Sequence, residues 1–166
     1  MSDPTPASLT PSETNSSSTS ATRYGSAPLD RMVERLQGSS DPRRRYEYVL
    51  WLAKKLSPMA PELECDRIKV KGCVSQVYVL GELVDGKIHW QGASDALITK
   101  GLLAFLIQGL SELTPEQVLA VDPGFIEATG LKGSLTPSRA NGFLNILRAM
   151  QFQAKQLSLG IPPTAS

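Results

Sequence analysis

Hydrophobic positions along this chain follow a helical period first, then a strand period, then a helical period again. Apolar residues spaced i, i+3, i+4, i+7 predict a first amphipathic helix that Gly38 ends, with the face Leu29, Met32, Val33 and Leu36. Asp41 followed by Pro42 predicts a second helix, capped by the Asp and begun by the Pro. Its apolar stripe is Tyr46, Val49, Leu50 and Ala53.

The middle of the chain changes to a period of two. Ile68 and Val70 alternate with charged residues, and the β-branched and aromatic run "VSQVYVLGELV" follows. Asp85-Gly86 separates that run from "KIHWQG" and predicts a hairpin, because both turn positions need a positive φ. We therefore expect about three antiparallel strands between residues 67 and 91.

Helical spacing returns at Ser94 and continues to Leu110 over a broad apolar face, which predicts the most buried helix. "TPEQ" at 114–117 predicts a capping box, with short helices around 118–120 and 125–128. Thr136-Pro137 opens a long helix with an apolar side formed by Phe143, Leu144, Leu147, Met150, Ala154 and Leu157. The order of elements predicts an α+β fold, a small antiparallel sheet with helices packed on one face.

The two ends of the chain differ from its body. Residues 1–27 are rich in Ser, Thr, Pro and Ala, so we expect a disordered tail. A transit peptide is the alternative, although such peptides are Arg-rich and poor in acids, whereas this segment has one Arg and carries Asp3 and Glu13. Residues 28–158 are predicted to form one domain, and 159–166 a flexible C-terminal end.

Composition excludes several classes of function. Lys plus Arg number 17 against 16 Asp plus Glu, so the chain lacks the basic character of a nucleic-acid-binding protein. No apolar run approaches the roughly 18 residues of a membrane helix. Two cysteines are too few for a disulfide-stapled secreted scaffold. We expect a bacterial cytoplasmic location, or a plastid if the N-terminal tail is a transit peptide.

Cys73, in "KVKGCVSQVYV", is the principal candidate for chemistry. A disulfide with Cys65, eight residues before it, is opposed by a reducing compartment. A structural metal site takes about four nitrogen or sulfur ligands, and the two cysteines with the single His89 fall short. We therefore predict no bound metal.

Two interpretations of Cys73 stay open on the residues alone. Free cysteine is among the most buried residue types, which favours an inert buried thiol. Gly72 supplies backbone freedom for a bend, and Lys69 and Lys71 could favour the thiolate, which together describe a presented nucleophile.

Three stretches resemble one known family. "VKGCVSQVYV" is similar to the "GCxSxVW" signature of the SufE family, with Tyr78 where a tryptophan is often found. "QGASDALITKGLLAFL" at 91–106 and "LTPSRANGFLNILRAM" at 135–150 resemble its sheet-to-helix segment and its closing helix. The order and intervals agree from about residue 29 to residue 158, and Cys65 has no place in the motif.

The resemblance implies a sulfur carrier. In the SufE family the signature cysteine accepts sulfur from a persulfide on a PLP-dependent cysteine desulfurase and passes it to an iron–sulfur cluster scaffold. It implies that Cys73 is the acceptor, with partners similar to the SufS desulfurase and the SufBCD scaffold. The chain would bind no cofactor of its own, since PLP belongs to the desulfurase. This chain would activate the desulfurase and would have no turnover by itself. The loop that carries Cys73 would lie in an apolar recess until the desulfurase docks.

Further residues follow from the same resemblance. Gly72 would form the bend, and the side chains of Ser75 and Gln76 would hydrogen-bond the loop. Arg139 lies in the first turn of the last helix, where a cation meets the positive end of the helix dipole. It would contact the partner or stabilise the thiolate, or else pair with an acid in solvent. Asp95 is explained as a helix N-terminal acid, and the resemblance implies a second role for it near the cysteine loop.

Three other functions compete with this one. The first is a partner of a different desulfurase, as in the CsdE group. The second is an IscU-type cluster scaffold, which needs about three cysteines and another ligand where this chain has two cysteines. The third is a thiol redox protein in which Cys65 resolves a disulfide with Cys73.

Overall fold

The computed structural model describes residues 22–165. Most of the predicted N-terminal tail, residues 1–21, and Ser166 lie outside the described residues. Six helices and two strands follow one another along the described chain: α1 (Ala27–Gln37), α2 (Pro42–Lys55), β1 (Val77–Val84), β2 (Lys87–Ser94), α3 (Leu97–Gly109), α4 (Pro115–Leu119), α5 (Phe125–Ala128) and α6 (Pro137–Ser158). Short 3₁₀ turns lie at Pro61–Leu63, Asp66–Ile68 and Leu131–Gly133.

Helices α2 and α4 are capped by the residues that the local sequence predicts. Asp41 accepts a hydrogen bond from the Arg43 backbone N–H at 2.9 Å at the start of α2. Thr114 and Gln117 form the predicted capping box of α4. These caps satisfy backbone N–H groups that have no partner within a helix, which fixes each starting residue.

The sheet is an antiparallel hairpin. Its turn residues Asp85 and Gly86 have φ of 52° and 80°, the left-handed values that the sequence predicts. One face is buried against α3 and α6 and presents Val77, Val79, Gly81, Ile88, Trp90 and Gly92. The structure confirms the predicted α+β class with helices on one face of the sheet.

The expected third strand is wrong. Asp66–Ile68 turns as a 3₁₀ helix, and only Lys69, opposite Tyr78, forms a bridge with β1. The Val70 N–H donates to the Val77 carbonyl at 2.8 Å, and the pairing ends there. Ile68 and Val70 are buried as their pattern suggested, but burial of two alternate side chains does not require a strand.

A side chain completes the free edge of β1 instead. The Gly81 N–H donates to Gln153 Oε1 at 2.8 Å, and Gln153 Nε2 donates to the Val79 carbonyl at 2.7 Å. Gln153 lies in α6 and is fully buried. Its amide therefore pairs with the backbone groups that a third strand would have used.

Helix α3 lies at the centre of the core, as its apolar sequence predicts. Phe105 of α3 packs against Phe125 and Phe143 with ring centroids 6.2 and 5.7 Å apart. A Cβ at Gly101 would lie 2.2 Å from the Val49 carbonyl oxygen, so α2 and α3 approach too closely for any other residue.

Residues outside the predicted domain boundaries, 28 and 158, also contact the body of the domain. The boundaries themselves remain a prediction. Buried Ser26 caps α1 and donates to the Gly109 carbonyl at 2.6 Å. At the other end the Ala165 N–H donates to the Arg67 carbonyl at 2.9 Å. Within residues 22–165 no helix is both long and apolar enough to cross a membrane.

Replacing Gln153 by Leu should destabilise the protein by about 2–4 kcal/mol, because it leaves a buried N–H and a buried carbonyl on β1 without partners. Urea unfolding followed by circular dichroism measures the change. Gln37→Leu on the exposed surface of α1 is the matched control and should change stability by less than about 0.5 kcal/mol. Equal effects of the two substitutions would contradict the edge-pairing role.

Candidate functional site

Residues 72–76, which we call the cysteine loop, lead directly into β1. Gly72 has φ of +79°, a conformation that other residues rarely adopt. Asn145 Nδ2, from α6, donates to the Gly72 carbonyl at 3.0 Å. A Cβ at Gly72 would lie 2.8 Å from that same nitrogen. The predicted bend is therefore present, and both its backbone conformation and its contact with α6 require glycine.

Asp95 fastens the other end of the cysteine loop. The Gln76 N–H donates to Asp95 Oδ1 at 2.9 Å, and the Asp95 N–H donates to the Gln76 carbonyl at 3.2 Å. The position of Asp95 in the sequence suggested that it caps α3, but it does not. The helix starts after Ala96, whose N–H donates to Ser94 Oγ at 3.3 Å. The predicted proximity of Asp95 to the cysteine loop is thus what the structure has.

The Cys73 thiol points toward α6 and is half-buried. Its Sγ lies 3.8 Å from the Gly142 carbonyl oxygen, and a Cβ at Gly142 would come within 3.7 Å of the sulfur. Burial raises the pKa of the Cys73 thiol. The expectation that Lys69 and Lys71 favour the thiolate does not hold in this arrangement, since loss of hydration dominates.

A cavity of about 250 Å³ opens beside the sulfur. It is lined by Cys73, Val74, Ser75, Thr99, Thr136, Ser138, Arg139 and Gly142. Arg139 Nη1 donates to Thr99 Oγ1 at 2.8 Å, and Ser75 Oγ lies 3.3 Å from the same hydroxyl. The structure thus brings a guanidinium and two hydroxyls to the cavity that the thiol lines.

The sequence named Ser75 and Gln76 without identifying their partners. Ser75 reaches Thr99 with its side chain, and the Gln76 side chain accepts a hydrogen bond from the Tyr78 hydroxyl at 3.4 Å while its backbone binds Asp95. Arg139 forms no ion pair with an acid in the part of the chain that the structure describes. It binds a threonine hydroxyl instead, so the interpretation as a solvated arginine paired with an acid is wrong.

Sequence reasoning missed Thr99, Gly142 and Asn145. A signal was available for the last two: with Arg139 they recur every third position and so share one face of α6. A glycine inside a helix also costs about 1 kcal/mol relative to alanine, which marks position 142 as special. Thr99 is a polar side chain on the apolar face of α3, buried at its first turn.

The side chains that commonly bind metal ions do not cluster in residues 22–165. Across residues 22–165 no three His, Cys, Asp or Glu side chains form a group able to hold a metal ion. Cys65 and His89 are both exposed, and neither lines the cavity beside Cys73. The absence of a bound metal or cofactor stays a prediction.

Comparison with known proteins decides the family. The family model named SufE, described as an Fe-S metabolism associated domain, matches residues 30–154. This chain belongs to the SufE family. The match includes the cysteine loop, Asp95 and Arg139, so the resemblance found in the sequence is confirmed and the chain has a role in iron–sulfur metabolism.

Relatives include an uncharacterized SufE-like protein of Synechocystis sp., 55% identical over 80% of this chain and 83% of its own length. Cysteine desulfuration protein SufE of Plasmodium vivax is 46% identical over 68% of this chain. SufE-like protein 1, chloroplastic/mitochondrial, of Arabidopsis thaliana is 36% identical over 79%. The matches span 46% and 36% of those two proteins.

A solved structure has the same fold. The solution structure of a hypothetical protein from Thermus thermophilus superposes with a TM-score of 0.70 at 26% identity. The superposition covers 81% of this chain and 98% of the other. The α+β fold of this chain is therefore one that an experimentally determined structure shares.

Asn145→Ala should speed alkylation of Cys73 by iodoacetamide about fivefold, because losing one hydrogen bond of about 1 kcal/mol lets the cysteine loop leave α6 more often. Peptide mass spectrometry at several times measures the rate, with exposed Cys65 as an internal reference. In the unaltered protein the Cys73 rate should keep rising with pH beyond the usual thiol range, since burial raises its pKa.

Asn141→Ala is the matched control. Asn141 lies about one turn earlier in the same helix, is exposed, and makes no side-chain hydrogen bond to the cysteine loop. It should leave the alkylation rate of Cys73 unchanged. If both variants accelerate the reaction equally, general loosening of α6 and not the contact with Gly72 is responsible.

Proposed function

We propose that this protein accepts sulfur from the persulfide of a PLP-dependent cysteine desulfurase on Cys73 and carries it to an iron–sulfur cluster scaffold. The observation that supports it most is the position of Cys73, whose sulfur lines a cavity shared with Arg139 on a loop tied down at both ends. The family match and the name of the Plasmodium vivax relative, a cysteine desulfuration protein, agree with it.

The transfer needs no base or cofactor built into this chain. The Cys73 thiolate attacks the outer sulfur of the partner's persulfide, a new S–S bond forms on Cys73, and the partner's S–S bond breaks. The partner's cysteine leaves as a thiolate, so sulfur moves with no net oxidation or reduction. From this chemistry we infer that the protein carries sulfur and activates the desulfurase, and that it has no turnover of its own.

Resting and reacting positions of Cys73 must differ. Half-buried with a raised pKa, the thiol is largely protonated and protected from oxidants in the arrangement described. Val74 is 85% exposed beside it and offers an apolar contact for a docking enzyme. We infer that docking pulls residues 72–76 away from α6, hydrates the thiol and allows the thiolate to form.

The cavity suits the product of the transfer. A persulfide carries one more sulfur atom than the thiol, and the space beside Cys73 can receive it once the loop returns. The guanidinium of Arg139 and the hydroxyls of Ser75 and Thr99 line that space as hydrogen-bond donors for a persulfide anion. This gives Arg139 the role of anion stabilisation in preference to a surface contact.

The partners we propose are a SufS-like desulfurase and a SufBCD-like scaffold. The alternative is a different desulfurase, as in the CsdE group. A pull-down against each of the two desulfurases separates these possibilities. We propose the bacterial cytoplasm as the location. A plastid is the alternative that the name of the chloroplastic/mitochondrial Arabidopsis thaliana relative supports, and import assays of the full chain distinguish the two.

Incubation with a cysteine desulfurase and free cysteine should add one sulfur atom to Cys73. Cys73 is the cysteine whose thiol lines the cavity, whereas Cys65 does not. Mass spectrometry of the intact protein and of its peptides detects the adduct. Cys73→Ser should abolish both the adduct and any stimulation of the desulfurase, and the matched Cys65→Ser should preserve both. Sulfur on neither cysteine would overturn the proposal, and loss of function in Cys65→Ser would favour the redox alternative.

Arg139→Gln should slow sulfur transfer to Cys73 about tenfold, since a charged hydrogen bond of roughly 1.5 kcal/mol to the persulfide anion is lost. Single-turnover transfer from a persulfidated desulfurase measures the rate. Arg148→Gln removes the same charge from the exposed side of the same helix and should have little effect. Equal slowing in both variants would assign Arg139 to charge-based docking instead.

A further inference from the structure

A second cleft lies on the other side of the core from the Cys73 site. We call it the arginine–tryptophan cleft; it encloses about 270 Å³ and is lined by Pro28, Arg31, Met32, Arg35, Tyr48, Trp51 and Gln108. Gln108 and Thr99, which lines the Cys73 cavity, lie at opposite ends of α3, about 14 Å apart along its axis. The cleft is therefore a separate site that the proposed sulfur transfer does not use.

Its aromatic side chains are arranged as a shelf. Tyr48 and Trp51 stack with centroids 5.9 Å apart at an interplanar angle of 21°. Trp51 remains 45% exposed, an unusual position for the largest apolar side chain on a small domain. Exposed aromatic residues together with arginine and methionine are the residue types enriched at protein–protein interfaces.

The cations around the shelf have no acidic partners among residues 22–165. Arg35 Cζ lies 5.3 Å from the Tyr48 ring centroid, and Lys55 Nζ lies 5.1 Å from that of Trp51. No carboxylate among the described residues pairs with Arg31, Arg35 or Lys55. The lining itself contains two arginines and no acidic residue, so the residues that line the cleft carry a net positive charge.

We propose that the arginine–tryptophan cleft is a docking site for an acidic segment of a partner protein, with carboxylates paired to Arg31 and Arg35 and an apolar side chain laid on Trp51. Charge complementarity selects the acids, and bidentate guanidinium–carboxylate pairing supplies direction. Occupation of this cleft leaves the Cys73 cavity open, so both sites can be filled at once.

The test uses the full chain labelled with ¹⁵N and the acetylated, amidated peptide Glu-Glu-Leu-Glu-Glu-Leu. The chain has two tryptophans, so two indole N–H signals report on binding. Trp51 should shift with a Kd of about 0.1–1 mM, as expected for a short unstructured peptide, and buried Trp90 should not. Raising the salt concentration should weaken the binding.

Matched variants localise the interaction. Arg31→Ala with Arg35→Ala should weaken binding at least about tenfold, since two charge-assisted hydrogen-bonding partners are lost. Arg43→Ala with Arg44→Ala removes the same charge from exposed positions of α2 outside the cleft and should leave the Kd unchanged. Persulfide formation on Cys73 should proceed equally in both double variants.

Four outcomes would overturn the proposal. The first is an unshifted Trp51 signal at several millimolar peptide, and the second is equal binding of the peptide with Gln in place of every Glu. The third is tighter binding of AMP than of the peptide, which would make the cleft a nucleotide site. The fourth is a Trp51 shift caused by Asp3→Asn with Glu13→Gln in the absence of peptide, which would assign the cleft to the chain's own N-terminal segment.

Discussion

The two hydrogen bonds from the buried Gln153 amide to β1 are the contact on which the rest of this structure depends. A two-stranded hairpin is marginal by itself, and its inner edge would otherwise bury an unpaired carbonyl and N–H. By pairing with Val79 and Gly81, Gln153 closes the edge and sets α6 alongside β1. Since the cysteine loop leads straight into β1, the same contact determines which part of α6 the loop meets.

One stripe of α6 therefore contacts both the sheet edge and the Cys73 site. Arg139, Gly142, Asn145, Ala149 and Gln153 recur at intervals of three and four, so they share a face of the helix. The C-terminal end of that stripe holds the sheet, and its N-terminal end holds the Gly72 carbonyl and lines the Cys73 cavity. Glycine at 142 weakens the helix locally, yet it keeps open the space beside the sulfur that a side chain would fill.

Local features of this fold could be predicted from sequence, and contacts between distant segments could not. Asp41, Thr114 and Asp85-Gly86 act on neighbouring residues, so their pattern sufficed for caps and turn. The supposed third strand failed because alternation reports burial, while pairing depended on Gln153, about 72 positions away from Gly81. Thr99 was missed for the same reason. The residues alone assigned Asp95 to its own helix, and the family resemblance placed it near the cysteine loop, which it binds. The role proposed for Cys73 came from family resemblance, since the residues alone left two interpretations open.

Those two interpretations describe two positions of one residue under the proposed function. The side-chain hydrogen bonds from Asn145 and to Asp95 hold the cysteine loop at its two ends, and each contributes about 1 kcal/mol, more where a charge is involved. Opening then requires roughly 2–3 kcal/mol, a preference for the closed loop of about 30- to 150-fold. A desulfurase needs only that much differential affinity to expose the thiol, whereas an oxidant with no affinity for the open loop meets a protected sulfur. Weak fastening at two points thus makes Cys73 selective through access, although its buried environment makes it a poor nucleophile at rest.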